Sequence, residues 1–560
     1  MPQRRAALAI GVSDAAPLPF LGGAVNGARE FHTWAQSLGY ESRLVTDETE
    51  PVTAPRLRQE FETLLSGEAF HRLIIYFAGH GLIRELEQGL WLLSDWHSEQ
   101  RAVAVEVLRR RLGFYGVNQV AIFADACRSL PADVDTADLT PDGLLGKGPR
   151  PRSATMSVDK FIAAQDGTEA FMIPGKDPDD DRCLFSGVVL SALWGTRQEA
   201  FSTLLPGKVT SRSLGTFLQS EVPRLAETYR LTLVPSVTPT FPENDDIYYG
   251  DGPPVEAPDF PPWPPGEAVR STGRVVLRAR DEQPDEVLEH RLRAQERPQA
   301  FETGSGFAVD GATVAAVWKP GGVSTDFAGR RDWCRLRHEA ADQLLRPEPA
   351  QLELANGLFT AVTALPLFIG SVVVREKGAA ALVYRELHAG PTTYAATELA
   401  IGELERGGLR AGAATDLAAE LRAGKHLDPV RGVLSAYLYD AVADVESIRH
   451  LAHCYLAQDE PIPYDIALLA DLDASTDDSG QLRVTVPAVA AQPATPEATG
   501  PVAGFWPMLR QGWAYLDDDP ASALVRPGLA ELAAELTTAR FTTFPRAAGL
   551  RLAELFGLTP

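Results

Sequence analysis

The chain has 560 residues, of which 45% are hydrophobic and 23% charged, a composition typical of a globular protein with about two to four domains. Its net charge of -23 argues against a nucleic-acid-binding surface, because such surfaces depend on clustered Lys and Arg. Four widely spaced cysteines, a start without a signal-peptide apolar core, and the lack of any apolar run of about 18 residues predict a cytoplasmic protein with no disulfide framework and no nucleic-acid or membrane partner.

Predicted strands and helices alternate through residues 1–250, which we interpret as one α/β domain. Unbroken apolar runs indicate buried strands, and segments with helical spacing of apolar residues lie between them. The predicted strands are Ala6–Val12, Glu41–Thr46, Arg72–Ala78 and Gln119–Ala124, and the predicted helices are Ala24–Leu38, Ala54–Leu65 and Val103–Leu112. This order predicts a mostly parallel sheet flanked by helices.

Residues 130–157, rich in Pro, Asp and Gly, predict a long exposed loop after this sheet. Regular structure then resumes. The further predicted strands are Lys160–Ala164 and Ala170–Pro174, and the further predicted helices are Leu184–Trp194 and Leu214–Tyr229.

Composition changes sharply after residue 250. Residues 251–266 are proline-rich and predict a stiff linker. Residues 267–392 predict a small β-rich domain, and residues 393–560 an α-helical domain. The predicted strands are Gly273–Arg280, Gly306–Trp318, Leu358–Leu365 and Ile369–Arg375, and the predicted helices are Ala395–Arg406, Ala413–Ala423, Gly432–Tyr455 and Gly528–Arg540.

Two polar segments follow predicted buried strands, Gly79-His80-Gly81 after one and Asp125-Ala126-Cys127 after another. Because parallel strands end at the same edge of a sheet, an imidazole and a thiol are expected to meet there. A Cys and a His that meet in space are the minimum for thiol nucleophilic catalysis. Cys127 is then the nucleophile and His80 the group that holds and returns the proton, while the backbone N–H groups of Gly81 and Cys127 stabilise the oxyanion. The alternative is a buried, inert thiol and a histidine with a structural role.

These motifs resemble those of the caspase-fold cysteine peptidases, in particular the metacaspases and their bacterial relatives. The segment from Leu21 to Ala28 is similar to the family's Leu-x-Gly-x-x-Asn-Asp-Ala opening, and the strand-end histidine and cysteine segments match the family order. The resemblance covers a little under half of the chain. It implies a caspase-like fold for residues 1–250, while the remainder resembles the C-terminal extensions of bacterial caspase-like proteins.

The resemblance also implies a specificity. In the caspase fold, the residue two before the nucleophile lines the pocket for the side chain that precedes the scissile bond, and here it is Asp125. A carboxylate at this position favours Arg or Lys, as metacaspases do, and disfavours an Asp-specific peptidase. Asp166 falls where the family supplies a second pocket residue, and Asp14 is a third candidate. Ordinary turn chemistry is the alternative for both.

Processing and Ca²⁺ binding are two further expectations. Caspase-like enzymes are often cut after the cysteine segment, where Lys147 and Arg152 offer sites to the enzyme itself or to an upstream activating protease; a solvated basic loop is the alternative. Several metacaspases need Ca²⁺, and the acidic segment Asp177–Asp181 leaves that switch open, although a solvated turn fits its spacing better. We otherwise expect no cofactor.

Two weaker signals lie in the second half. His450, His453 and Cys454 offer only three candidate metal ligands, so a packed helix face is the preferred interpretation and we expect no metal. The Gly304–Val309 segment resembles the opening strand of trypsin-like peptidases, but the His expected downstream is absent. The sequence as a whole predicts a bacterial cysteine endopeptidase that cuts proteins at exposed Arg or Lys, by resemblance in defence or cell death. The alternative is a caspase-like docking protein without turnover.

Overall fold

The computed structural model describes most of the chain, and its residues divide into two compact units. The first unit is Met1–Arg278 with Gly407–Ala413, and the second is Ala279–Arg406 with Ala414–Pro560. The described residues are 4–66, 71–84, 88–128, 139–150, 156–165, 169–173, 181–229, 231–241, 247–250, 270–271, 305–327, 331–338, 346–386, 413–477, 480–490, 494–516 and 523–560.

Several predictions about domain organisation concern residues outside these ranges. The linker at 251–266, the strand at 273–280 and the helix at 395–406 all lie there. The predicted boundaries after residues 250, 266 and 392 lie beside or within the same stretches, and they stay predictions.

The described part of the first unit alternates strands and helices. Its strands are β1 (Arg5–Gly11), β2 (Glu41–Thr46), β3 (Arg72–Ala78), β4 (Gly81–Arg84), β5 (Gln88–Trp91), β6 (Arg101–Ala104), β7 (Gln119–Asp125), β8 (Thr140–Asp142), β9 (Ser157–Ile162), β10 (Phe171–Ile173), β11 (Arg182–Cys183), β12 (Val209–Thr210), β13 (Ser236–Thr238), β14 (Ile247–Tyr249) and β15 (Arg270–Ser271). Its helices are α1 (Gly22–Ser37), α2 (Ala54–Leu65), α3 (Trp96–Glu99), α4 (Val105–Leu112), α5 (Leu184–Leu193) and α6 (Ser211–Thr228).

A six-stranded sheet forms the centre of this unit, in the order β2-β1-β3-β7-β9-β13. Its first five strands are parallel, and β13 is antiparallel to β9 at one edge. Every residue of β3 and β7 is buried, as expected for central strands covered on both faces. The predicted mostly parallel sheet flanked by helices is thus confirmed.

Helix α1 packs against the strands that lead to the predicted site. Phe31 of this helix stacks on Tyr76 of β3, with ring centroids 4.6 Å apart. Such close approach requires a small residue one turn earlier, since a Cβ at Gly27 would collide with the Tyr76 hydroxyl. This contact brings the Tyr76 hydroxyl beneath the carboxyl edge of the sheet.

A smaller sheet follows the sequence order β4-β5-β6-β8 and corrects two predictions. The helix predicted from Val103 begins only at Val105, because residues Arg101–Ala104 pair as β6. The predicted exposed loop at 130–157 is wrong over residues 139–145. There β8 pairs with β6, and Leu139, Leu144 and Leu145 are buried. Residues 130–138 and 151–155 lie outside the described ranges.

The second unit combines three sheets with short helices. Its strands are β16 (Ser305–Asp310), β17 (Val314–Trp318), β18 (Val323–Asp326), β19 (Trp333–His338), β20 (Glu348–Leu354), β21 (Phe359–Ala364), β22 (Phe368–Arg375), β23 (Gly378–Glu386), β24 (Ile462–Pro463), β25 (Asp473–Thr476), β26 (Leu482–Val486), β27 (Ala498–Ala503) and β28 (Thr543–Phe544). Its helices are α7 (Ala413–Ala423), α8 (Pro429–Ala441), α9 (Val445–Leu456), α10 (Tyr464–Leu469) and α11 (Arg546–Leu555). The sheet orders are β18-β19-β16-β22-β23, β17-β20-β21-β28 and β24-β27-β26-β25.

Three predicted elements differ in this unit. The helix predicted over 432–455 is two helices, because Ala443 adopts a left-handed conformation and Asp444 caps α9 through the Ser447 N–H. The strand predicted over 306–318 is two strands separated by a turn at Gly311. Only Ala530–Glu535 of the predicted 528–540 helix is helical, as a 3-10 turn. The region after residue 413 also contains strands, and β28 pairs with β21.

Candidate active site

The predicted catalytic segments lie side by side at the carboxyl edge of the central sheet. Strands β3 and β7 pair in parallel up to Ala78 opposite Asp125, so His80 and Cys127 each lie two residues beyond that pair. The two segments stay in contact after the strands end. The Gly79 N–H donates to the Asp125 carbonyl oxygen over 3.2 Å, and a Cβ at Gly81 would lie 2.9 Å from the Cys127 carbonyl oxygen.

The imidazole of His80 is buried and held by a backbone carbonyl. Its Nε2 lies 2.7 Å from the carbonyl oxygen of Pro19, which only accepts hydrogen bonds, so Nε2 carries the proton. In the neutral imidazole, Nδ1 is then the basic nitrogen. The Pro19 loop is itself fixed, because the Leu21 N–H donates to the Ser13 carbonyl oxygen over 2.9 Å. This loop therefore sets both the tautomer and the orientation of His80.

The thiol of Cys127 is buried beside the backbone of Ala170. The Ala170 N–H donates to Sγ over 3.2 Å, and its carbonyl oxygen lies 3.8 Å from the same sulfur. An N–H directed at sulfur stabilises negative charge on it. Ala170 is thus a positioning contact that the sequence analysis did not identify, since a backbone donor leaves no mark in residue type.

Glycine at position 81 is required by the close approach of the two segments. A side chain there would meet Ala126 Cβ at 2.9 Å as well as the Cys127 carbonyl. Gly81 also begins β4, which pairs with β5 through Trp91. The predicted oxyanion donors, the N–H groups of Gly81 and Cys127, therefore lie on adjacent chain segments.

The carboxyl group of Asp125 is fully buried at the same edge. Its Oδ2 accepts from the backbone N–H and the hydroxyl of Ser186, each over 2.7 Å. Oδ1 is buried with no hydrogen-bond partner among the described residues. Burial raises the pKa of Asp125 to about 6, and the Ser186 donors oppose that rise.

Cys183 is a second buried thiol near this site, immediately before α5. Burial, together with the charges of Asp125 and Asp181, raises the pKa of the Cys183 thiol well above its usual value. It pairs with Met172, two residues after Ala170. A thiol in this environment stays protonated and unreactive at neutral pH.

The remaining predicted residues are distributed differently. Asp14 is exposed, and its N–H donates to the Asp47 carboxylate. Lys147 is exposed with its ammonium 5.7 Å from the Phe114 ring centroid. Asp166, Arg152 and residues 177–180 of the acidic segment lie outside the described ranges.

In the described part of the chain, no group of three or more His, Cys, Asp or Glu side chains is arranged to hold a metal ion. His453 instead bonds through Nε2 to the Pro487 carbonyl oxygen, 2.9 Å away. None of the described helices combines the length and apolar character needed to cross a bilayer.

Comparisons with known proteins add the following. No family model and no curated protein matches the chain. Among solved structures, protein GSU0716 from Geobacter sulfurreducens is similar at 13% identity, with 45% of this chain and 98% of that chain covered and a TM-score of 0.31. Caspase-1 from Spodoptera frugiperda is similar at 10% identity, with 44% and 90% covered and a TM-score of 0.28.

Proposed function

We propose that the first unit is a cysteine endopeptidase that cleaves proteins after Arg or Lys. The observation that carries this proposal is the alignment of His80 and Cys127 at the same register beyond paired parallel strands. The Pro19 carbonyl fixes a proton on Nε2, which supports Nδ1 as the nitrogen that accepts the thiol proton in the proposed reaction.

The proposed reaction proceeds in two steps. The Cys127 S–H proton passes to His80, the sulfur forms a bond to the peptide carbonyl carbon, and the carbonyl π electrons move to oxygen near the N–H groups of Gly81 and Cys127. The carbonyl then re-forms and the C–N bond breaks, while His80 gives the proton taken from the thiol to the leaving nitrogen. In the second step water attacks the thioester carbonyl carbon while His80 accepts a proton from it. The C–S bond then breaks, His80 returns that proton to the Cys127 sulfur, and a carboxylic acid leaves.

The proposed specificity depends on Asp125. Its Oδ1 has no hydrogen-bond partner among the described residues, and a guanidinium or ammonium N–H is the strongest partner for a buried carboxylate. Above pH 6 the carboxylate is mainly ionised, because its pKa is about 6. A substrate Asp at this position would place two carboxylates together, which disfavours an Asp-specific enzyme. Asp166 stays a proposed second pocket residue, and Asp14 a weaker third candidate.

The biological role that we propose rests on the family resemblance. The family resemblance supports a bacterial, cytoplasmic enzyme in a defence or cell-death cascade, with an upstream protease as activator and protein substrates as partners. The free state of all four cysteines agrees with a reducing compartment. The competing candidate, a docking module without turnover, is favoured by the complete burial of the Asp125 carboxyl, which a structural helix cap would also explain.

Peptide cleavage tests the proposal directly. We expect turnover of fluorogenic peptides ending in Arg or Lys and none of peptides ending in Asp. Cys127→Ala and His80→Ala should lower kcat by at least about 1,000-fold. Asp125→Ala should lower kcat/KM for Arg about 100-fold, because it removes a charge-assisted contact.

A matched thiol variant controls for nonspecific effects. Cys183→Ala removes a neighbouring buried sulfur and should retain most of the turnover. The assays are run with and without Ca²⁺, and after nicking at Arg152. If every form is inactive toward all peptides, the docking-module candidate replaces the peptidase.

A further inference from the structure

A chain of buried hydroxyl groups ends on the Asp125 carboxylate. The Ser186 hydroxyl donates to Oδ2, so its oxygen is left to accept from Tyr76 Oη, 2.6 Å away. All three side chains are at most 2% exposed. The donors in this chain run from Tyr76 through Ser186 to Asp125, and both Ser186 hydrogen bonds strengthen when the carboxylate is ionised.

The two oxygens of this carboxylate have different surroundings. Oδ2 receives two hydrogen bonds from Ser186, whereas Oδ1 has no hydrogen-bond partner among the described residues. A buried carboxylate oxygen without a donor is unfavourable unless a ligand supplies one. Because the Ser186 donors bind Oδ2, Oδ1 is the oxygen that such a ligand would meet. Asp125 lies two residues before the proposed nucleophile.

We propose that Ser186 and Tyr76 are positioning residues that orient Asp125 toward a cationic substrate side chain and keep it ionised near neutral pH. This inference rests on the proposed function. Gly27 of α1 completes the arrangement, because any side chain there would collide with the Tyr76 hydroxyl.

Two opposing effects act on the ionisation of Asp125. Burial opposes its ionisation, and the Ser186 hydrogen bonds favour it. Tyr76 and Cys183 both have pKa values raised well above the usual range by burial, so both are neutral near pH 7. The other titratable groups around the site come from four places in the fold. They are Tyr76 in β3, His80 just after β3, Cys127 just after β7, Glu30 in α1, and Asp181, Arg182 and Cys183 just before α5.

The test measures pH profiles with two peptides that differ only in the residue before the scissile bond, arginine or its neutral analogue citrulline. Both share the Cys127 and His80 titrations, so the ratio of their kcat/KM values isolates Asp125. Ser186→Ala should raise KM for the arginine peptide about tenfold with kcat nearly unchanged. It should also shift the acid limb of the ratio upward by about one pH unit. Tyr76→Phe should shift that limb in the same direction by less.

A hydroxyl variant on the same helix provides the control. Ser191 donates to the Val188 carbonyl oxygen over 2.7 Å, so Ser191→Ala removes a comparable hydroxyl outside the chain. This variant should keep the wild-type ratio at every pH. An unchanged acid limb in an active, folded Ser186→Ala variant overturns the inference and leaves the peptidase intact. Wild-type protein that never prefers arginine over citrulline overturns the proposed specificity itself.

Discussion

At the scale of single residues, Asp125 combines two conflicting properties. A carboxylate that binds a cation must be ionised, yet this one is fully buried, which raises its pKa from 3.8 to about 6. At 1.36 kcal/mol per pKa unit, this shift corresponds to a contribution of about 3 kcal/mol to the free energy of unfolding while the carboxyl is protonated. Because the folded-state pKa is raised, this contribution to stability is complete below pH 3.8 and is lost as pH rises through 6. Ionisation of Asp125 therefore lowers the free energy of unfolding near neutral pH.

Replacing the carboxyl by an amide exposes this cost. Asp125→Asn keeps the shape and one oxygen acceptor for Ser186, but it has no charge to bury. The free energy of unfolding of the variant relative to wild type should therefore increase between pH 4 and pH 7, by up to about 3 kcal/mol. Chemical denaturation at several pH values measures this difference. A pH-independent difference for Asp125→Asn would mean that its carboxyl does not titrate in this range.

At the scale of elements, the sequence predicted what strong local patterns encode. Buried strands such as β3 and the apolar helix face of α2 follow from runs and spacing, and their bounds agree with the predictions. Strand β8 was missed because only a few apolar residues, among them Leu139 and Leu144, anchor it within a polar segment. The break between α8 and α9 was missed because it depends on one left-handed residue, Ala443.

The candidate site also has parts that a sequence shows and parts that it does not. The strand ends single out His80, Cys127 and Asp125 as candidates, because motif position and residue type are visible in a sequence. The contacts that orient them come from backbone atoms of Pro19 and Ala170, or from Ser186, which is 61 positions away from Asp125. Such partners depend on tertiary packing, so no local pattern points to them.

The packing of the segment after β8 predicts which processing bond is used. Arg58 of α2 donates to the Leu144 carbonyl oxygen over 2.7 Å and lies 3.3 Å from Asp142. Gly148 is pressed against the Phe114 backbone, so the Lys147–Gly148 bond must detach before a protease can bind it in extended form. We expect limited trypsin digestion, followed by intact-mass analysis, to cut after Arg152 several-fold faster than after Lys147.

Loosening this segment should reverse part of the preference. Arg58→Ala removes both contacts to residues 142–144 and should speed the cut after Lys147. Thr63→Ala, at an exposed position of the same helix, should leave the pattern unchanged. Equal rates at the two bonds in wild type would show that residues 146–150 do not protect the first one.

At the scale of the whole molecule, net charge acts on every proposed substrate before it reaches the site. The chain carries 75 acidic and 52 Lys or Arg residues, for a net charge of -23. Such an excess attracts cationic chains and repels acidic ones over about 10 Å at moderate ionic strength. The specificity that we propose for Arg or Lys would therefore have two parts, a local one at Asp125 and a long-range one spread over the surface.

Salt dependence separates these two parts. Two arginine peptides, one with basic and one with acidic flanking residues, present the same side chain to Asp125. Between about 0.05 and 0.5 M salt, kcat/KM for the basic peptide should fall about three- to tenfold, because screening weakens its attraction to the protein. The value for the acidic peptide should stay constant or rise, since screening weakens its repulsion. If both peptides respond alike, selection rests on the local carboxylate, and the surface charge serves solubility rather than substrate capture.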